Sequence, residues 1–200
     1  MEALATRGRP REFNADEALG AALRVFWTKG YEGTSLTDLT EAMGITRPSL
    51  YAAFGNKESL FRQALDLYER EKLAYVGCAL REPTARAVAR RLLEGGLETC
   101  AGKGQPRGCL RVITSAPCGT EAQSIRDEVV KRGRSVQAAI IERMKRAVDE
   151  GDFDGPVEPE AITRYLVAVL QGLSVQAGAG ASREDLERVV ETTLTMWPGR

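Results

Sequence analysis

Apolar residues along this chain recur every three or four positions, which is the period of an amphipathic α-helix. In the first quarter of the chain, residues that cap or end helices divide this pattern into short segments. Asn14 can cap the first helix through its side-chain oxygen, and Pro48 must lie in a first turn, where proline is tolerated. The helices predicted there run from Ala15 to Gly30, from Thr34 or Ser35 to Gly44, from Thr46 to Phe54 and from Lys57 to about Leu80.

The helical period continues to the end of the chain and is interrupted at two loops. The stretch GKGQPRGC is followed by the short apolar run LRVITSAP, and an acidic break lies between residues 152 and 159. Longer helices are predicted over residues 83–102, 120–151, 160–179 and 183–197, the last with Ser182 as its cap. No segment alternates apolar and polar residues as a strand would. The chain is therefore predicted to be all-α, with about nine helices.

The composition is typical of a soluble globular protein, with 43% hydrophobic and 28% charged residues. No apolar stretch is long enough to span a membrane, and the first residues lack the apolar core of a signal peptide. We therefore expect a cytoplasmic protein without a membrane partner. Basic and acidic residues number 28 each, so the net charge does not by itself indicate nucleic acid. The first residues are nevertheless basic, since Arg7, Arg9 and Arg11 alternate with glycine and proline.

Cysteine and histidine usage excludes several kinds of site. The sequence has no histidine, and its four cysteines form no C-x-x-C pair, so neither a zinc site nor another cofactor is expected. Without histidine, a Ser-His-Asp or Cys-His arrangement is impossible, and no glycine-rich phosphate-binding fingerprint occurs. We therefore do not expect an enzyme. The cysteines are expected to be mostly small buried hydrophobes rather than disulfides.

The two short helices joined at Gly44 have the layout of a helix-turn-helix. In such a unit a buried first helix holds the N-terminal half of the second in the major groove of DNA. Arginine and serine there can bind base edges or phosphates, and tyrosine can combine a phosphate hydrogen bond with contact to a thymine methyl. Starts of neighbouring helices can bind further phosphates. The predicted DNA-binding residues are Thr34, Ser35, Thr46, Arg47, Pro48, Ser49, Tyr51 and Lys57.

The segment FWTKGYEGTSLTDLTEAMGITRPSLYAAFGNKESLF resembles the DNA-binding domain of the TetR family of bacterial transcriptional repressors. The resemblance extends over about Phe13 to Phe61, and the preceding GRPREF arm suits the same family. It implies that Thr46 to Phe54 is the recognition helix, with Tyr51 and Lys57 at positions that commonly touch the DNA backbone. We expect Arg7 and Arg9 of the arm to add DNA contacts that tolerate any sequence.

The resemblance also implies a division of labour along the chain. Residues 1–57 would be the arm and DNA-binding domain, and residues 58–200 a helical domain for effector binding and dimerisation. A homodimer would bind a palindromic double-stranded operator and release it when a small molecule binds. Whether the protein represses or activates is left open by the sequence. A helical protein-interaction adaptor is the alternative, and operator binding separates it from a regulator.

Dimerisation is expected through the last two helices, which resemble the dimerisation helices of many TetR-family repressors. The apolar surface there, broader than one intrachain stripe, includes Leu166, Val167, Val169, Leu170, Leu173 and Val175. The alternative is that this helix is buried within its own domain.

An effector pocket is expected among the middle helices, lined by an apolar set with polar tips. Its candidate residues are Tyr75, Cys78, Leu97, Cys109, Ile140, Met144 and Tyr165, all of which would serve equally well as core. Cys109 lies between Arg107 and Arg111, which favours a reactive thiolate, and some relatives with a similar GCL segment respond to electrophiles or oxidants. The effector is thus either a small apolar molecule or an electrophile. The predicted helix from Lys57 to Leu80 would transmit the signal.

Overall fold

The computed structural model describes residues 13–115, 119 and 122–199. Within these ranges the chain forms ten α-helices and no strand, apart from an isolated bridge between Phe153 and Gly199, so the all-α prediction is confirmed. The helices are α1 Ala15–Lys29, α2 Leu36–Met43, α3 Arg47–Phe54, α4 Lys57–Lys72, α5 Ala74–Ala79, α6 Ala85–Ala101, α7 Leu110–Ser115, α8 Gln123–Asp149, α9 Pro159–Gly178 and α10 Arg183–Thr195. No helix in the described part of the chain combines the length and the apolar character that crossing a membrane requires.

Side-chain caps begin the first four helices where the sequence predicts them. Asn14, Ser35, Thr46 and Asn56 each accept a hydrogen bond from a backbone N–H in the first turn of the helix that follows. Ser35 completes a capping box, because the Asp38 carboxylate accepts the Ser35 N–H at 2.9 Å. The order of short helices in this region is therefore determined by local sequence.

The predicted single helix from Lys57 to Leu80 is wrong, because it breaks at Leu73 into α4 and α5. At the break the Lys72 carbonyl accepts a hydrogen bond from Thr99 Oγ1 of α6 at 3.1 Å. The turn brings Tyr75 onto Gly95, where any larger residue would collide with the tyrosine ring. This break, at contacts with α6, and the short helix α7 in the LRVITSAP run together bring the number of helices to ten.

Two clusters of buried side chains form the interior. The first lies under α1 to α4 and includes Phe26, Trp27, Leu50, Phe61 and Tyr68, and it also takes in Leu110 of α7 and Ile125 and Val129 of α8. The second lies among α5, α6, α8, α9 and α10 and includes Leu93, Leu97, Met144, Leu166, Leu173 and Trp197. The predicted boundary between the DNA-binding domain and the effector domain at residue 57 stays a prediction. The helix that begins there, α4, belongs to the same core cluster as α1 to α3.

The face of α9 that we expected to form the dimer contact lies largely inside the protomer. Leu166 and Leu173 are fully buried in the second cluster, and Leu170 packs onto Gly96 of α6. Those three residues are therefore unsuited to a contact with a second chain. Val175 is 59% exposed, and the exposed residues Tyr165 and Ala168 lie on the same side of the helix.

Candidate functional site

A sharp turn at Gly44 joins α2 to α3. Gly44 has φ 65° and ψ 28°, the left-handed conformation that glycine adopts without a Cβ penalty. Leu39 and Leu50 are fully buried on either side of the turn, which fixes the two helices against the first core cluster. Tyr51 is 48% exposed, so α3 presents its opposite side to solvent.

The predicted residues at the start of α3 lie together on this exposed side. Arg47 and Pro48 are exposed in the first turn, and Arg47 Nη2 donates to Thr37 Oγ1 of α2 at 2.9 Å. Thr46 and Ser49 lie with their hydroxyls 2.9 Å apart, and Thr46 also caps the helix. The arrangement provides hydroxyl, guanidinium and phenol groups within one and a half helical turns, which suits contact with bases and phosphates.

The expected role of Thr34 requires correction. Its side chain is 1% exposed, and its hydroxyl donates to the Gly30 carbonyl at 2.6 Å. Thr34 is therefore an interior residue that closes the α1–α2 turn and is not positioned to bind phosphate. Ser35 is exposed at the N-terminus of α2, where the helix dipole attracts anions.

Two lysines near this surface have structural contacts. Lys29 Nζ lies 2.6 Å from Asp38 Oδ1, and this hydrogen bond, followed by that from the Ser35 N–H, lowers the pKa of Asp38 to about 2. Lys57 opens α4 with its Nζ 4.5 Å from the centre of the Tyr31 ring. Arg7 and Arg9 lie outside the described residues.

A cavity of about 470 Å³ lies among α5 to α9. Of the predicted effector residues, Tyr75, Cys109 and Ile140 line it. Leu97 and Met144 do not line it; both lie within the second core cluster. Cys78 is also not part of the lining; its sulfur accepts a hydrogen bond from Arg81 Nη2 at 3.3 Å.

Tyr165 is the fourth candidate that does not line the cavity, since it is 42% exposed on the outer side of α9. Helical spacing alone did not distinguish an inner from an outer position there. Lining residues that we missed include Thr99, Gln137, Gln171 and Ser174. The adjacent Gly95 and Gly96 in the middle of α6 were a usable signal, because Tyr75 and Leu170 occupy the space that side chains would need.

Cys109 contacts both the cavity and the first core cluster. Its sulfur accepts a hydrogen bond from the hydroxyl of the buried Tyr68 at 3.2 Å, and burial raises the pKa of Tyr68 well above its usual range. Arg107 does not flank the thiol as expected: its guanidinium donates to the carbonyls of Ala177 and Ala181 at the end of α9. Burial raises the pKa of Cys100 to about 11, so that thiol is protonated at neutral pH.

Comparison with known proteins agrees with this geometry. The family model for bacterial regulatory proteins of the tetR family matches residues 18–64, and the model for the tetracyclin repressor-like C-terminal domain matches residues 86–193. The transcriptional repressor ComR of Escherichia coli K12 is 34% identical over 199 residues, covering 96% of this chain and 93% of ComR. The repressor BdcR of the same organism is 30% identical, covering 90% of this chain and 86% of BdcR.

A solved structure of a TetR family regulator is also similar to this chain. The TetR family transcriptional regulator CifR, as a cysteine mutant complexed with 26-bp double-strand operator DNA, is 41% identical with a TM-score of 0.88. That match covers 96% of this chain and all of the CifR chain. With residues 18–64 and 86–193 matched by family models and at least 90% of the chain matched by each of these relatives, the chain belongs to the TetR family of bacterial regulatory proteins.

Proposed function

We propose that this protein is a transcriptional repressor that binds a palindromic double-stranded operator as a homodimer and releases it when an effector occupies the α5–α9 cavity. ComR and BdcR are named repressors, and the CifR structure holds operator DNA. The observation that carries the proposal is the exposed start of α3, held on a buried α2 by Leu39 and Leu50. This geometry is the one that a recognition helix needs to enter a major groove.

Arg47 and Tyr51 are the residues proposed to bind DNA most directly. Arg47 bonds only to the neutral hydroxyl of Thr37 within the described residues, so its guanidinium can exchange that partner for a base edge or a phosphate. Tyr51, one helical turn later, is exposed and has no hydrogen bond there that must be broken. Ser35 and Lys57 begin adjacent helices and are proposed as phosphate contacts.

The homodimer is proposed to form through the outer face of α9 together with α10. Tyr165, Ala168, Gly172 and Val175 recur at helical spacing on that face, and a Cβ on Gly172 would meet no other atom within 4 Å. Met196 at the end of α10 is 72% exposed. Burying these apolar side chains against a second copy would give the two-fold symmetry that a palindromic operator requires.

Effector release is proposed to pass through α7. The Trp27 indole N–H of α1 donates to the Gly108 carbonyl at 2.9 Å, immediately before α7, and Ile113 of α7 lies against Gly30 at the end of α1. Cys109 lies between this contact and the cavity, so either a small apolar ligand or covalent modification of the thiol would act on the same junction.

The experiment is to select an operator from random DNA with the purified full chain and then compare variants at one salt concentration. Arg47→Ala should weaken operator binding by about 1–3 kcal/mol with little change for scrambled DNA, whereas Tyr51→Ala, which removes a DNA-backbone contact, should weaken binding to both. Arg90→Ala, an exposed arginine of α6, is the matched control and should bind normally. Full operator affinity in both α3 variants would overturn the proposed docking.

A further inference from the structure

The polar groups of the cavity suggest what kind of effector it takes. Most of the wall is apolar, from residues such as Val76, Leu92, Val136, Ile140 and Val167. Among the described residues that line it there are two arginines, Arg111 and Arg134, and no aspartate or glutamate. An apolar cavity whose charged side chains, among the described residues, are cationic is complementary to an amphipathic anion.

Arg111 is the more informative of the two, because its side chain is only 16% exposed and lies in the cavity wall. Its guanidinium has five N–H donors, and none of them donates a hydrogen bond to any residue in the described ranges. The nearest carboxylate oxygen, on Glu69, is 4.0 Å from Arg111 Nε, beyond hydrogen-bond distance. A guanidinium that lines the cavity with unused donors can therefore bind an acceptor that enters the cavity.

Glu69 has a closer partner elsewhere. Its Oε2 lies 2.9 Å from Arg132 Nη1, and Arg132 is also held by Asp66 and Glu128. Glu69 is thus shared between two arginines: Oε2 pairs with Arg132, while Oε1 lies 4.0 Å from Arg111 Nε and balances its charge without accepting a hydrogen bond. The Arg111 guanidinium lies beside Gly133 of α8, where a Cβ would be 2.7 Å from Nη2. The glycine thus leaves room for the guanidinium at the cavity wall.

We infer that the effector is an apolar molecule with one anionic head, a carboxylate or sulfonate, and that Arg111 binds this head while the apolar walls enclose the rest. Arg134 is exposed at the same cavity and supplies a second positive charge for the head. A cavity of about 470 Å³ is within the range for small-molecule sites. The inference rests on the proposed function, since it assigns a ligand class to the cavity proposed there for the effector.

The position of Arg111 also gives the anion a route to the DNA-binding helices. Arg111 follows Leu110, which is fully buried in the first core cluster with Trp27 and Tyr68. An anion that draws the guanidinium further into the cavity therefore acts on α7 and, through the bond from Trp27 to Gly108, on α1. A neutral molecule of the same shape would occupy the cavity without that pull.

The test uses two fluorescent probes of nearly the same shape, the anion 1-anilinonaphthalene-8-sulfonate and its uncharged analogue N-phenyl-1-naphthylamine. Binding of both probes to the full chain is titrated without DNA, and release of bound operator by each probe is measured in a second titration. Arg111→Gln should weaken binding of the anion about tenfold or more, since charge-assisted hydrogen bonds are lost. Its affinity for the neutral probe should change less than twofold. Arg111→Lys should recover part of the anion affinity. Arg146→Gln, an exposed arginine on α8 outside the cavity, is the control for general charge.

The outcomes separate this inference from the proposed function. An equal loss of affinity for both probes in Arg111→Gln, or an unchanged affinity for the anion, would overturn the inference. If the anion depends on Arg111 but never releases operator DNA, the ligand class stands and the release step of the proposed function fails. If the neutral probe alone releases the operator, the release step stands and the anionic ligand class fails. Circular dichroism of each variant confirms that it is folded.

Discussion

The bond from the Trp27 indole to the Gly108 carbonyl should contribute measurably to stability, and the chain contains its own control. Trp27 is 2% exposed, and its N–H donates to Gly108 across 2.9 Å between α1 and the start of α7. Trp197 is equally inaccessible at 5%, but its indole N–H has no hydrogen-bond partner within the described residues. Both tryptophans pack beside one aromatic ring, Tyr68 at 4.8 Å and Phe153 at 6.5 Å between centroids.

Replacing each tryptophan by phenylalanine therefore removes a similar amount of buried apolar surface, but only Trp27→Phe removes a hydrogen bond. Leaving the buried Gly108 carbonyl without its donor should cost about 1–3 kcal/mol. Trp197→Phe removes an unpaired buried N–H, so part of its packing loss is offset. We expect the free energy of unfolding to fall by about 1–3 kcal/mol more for Trp27→Phe than for Trp197→Phe.

Urea unfolding followed by far-UV circular dichroism measures both differences, at one protein concentration because a dimer's stability depends on it. The remaining tryptophan of each variant gives a second, fluorescence-based transition. Equal losses in the two variants would refute the assignment of this bond as an energetic link between α1 and α7. Trp27→Phe should also weaken effector-induced release of the operator, since α7 would be less firmly joined to α1.

Three further predictions concern the dimer, the thiol and pH. Val175→Glu should convert a micromolar dimer into a folded monomer in sedimentation, because it places a charge on the exposed face of α9, whereas an unaltered dimer would exclude this face. A quinone should release the operator from wild type and from a Cys78/Cys100 double serine variant but not from Cys109→Ser; release from Cys109→Ser would exclude that thiol as the sensor. Asp38 has a lowered pKa of about 2, so its stabilising contribution is present above the unfolded value of 3.8 and is lost as pH falls towards 2. Wild type should lose its stability advantage over Asp38→Asn across that acid range, and a constant difference down to pH 2 would contradict the assigned ion pair with Lys29.

Features that depend on a few adjacent residues could be predicted from the sequence. The caps Asn14 and Ser182 lie where expected, because capping involves only the cap and the first turn of its own helix. The exposure of Arg47 and Tyr51 also follows from local pattern, since the buried positions Leu50 and Phe54 define the opposite side of α3.

Features that depend on contacts between distant segments could not be predicted. The break at Leu73 has no glycine or proline to mark it and depends on Thr99, 27 residues from Lys72. Met144 and Ile140 share one side of α8, yet only Ile140 reaches the cavity. The thiol of Cys109 meets Tyr68, 41 residues away, and no spacing rule connects them.

The shared core beneath α1 to α4 has a consequence for how this protein can evolve. Leu110, Ile125 and Val129, all from the second half of the chain's fold, fill the same interior as Phe26 and Phe61. A gene fusion that joined residues 13–64 to an unrelated helical partner would remove Leu110, Ile125 and Val129 and uncover part of the interior around Phe26 and Phe61. The DNA-reading part can therefore be exchanged only together with a second half that supplies apolar residues at these three positions.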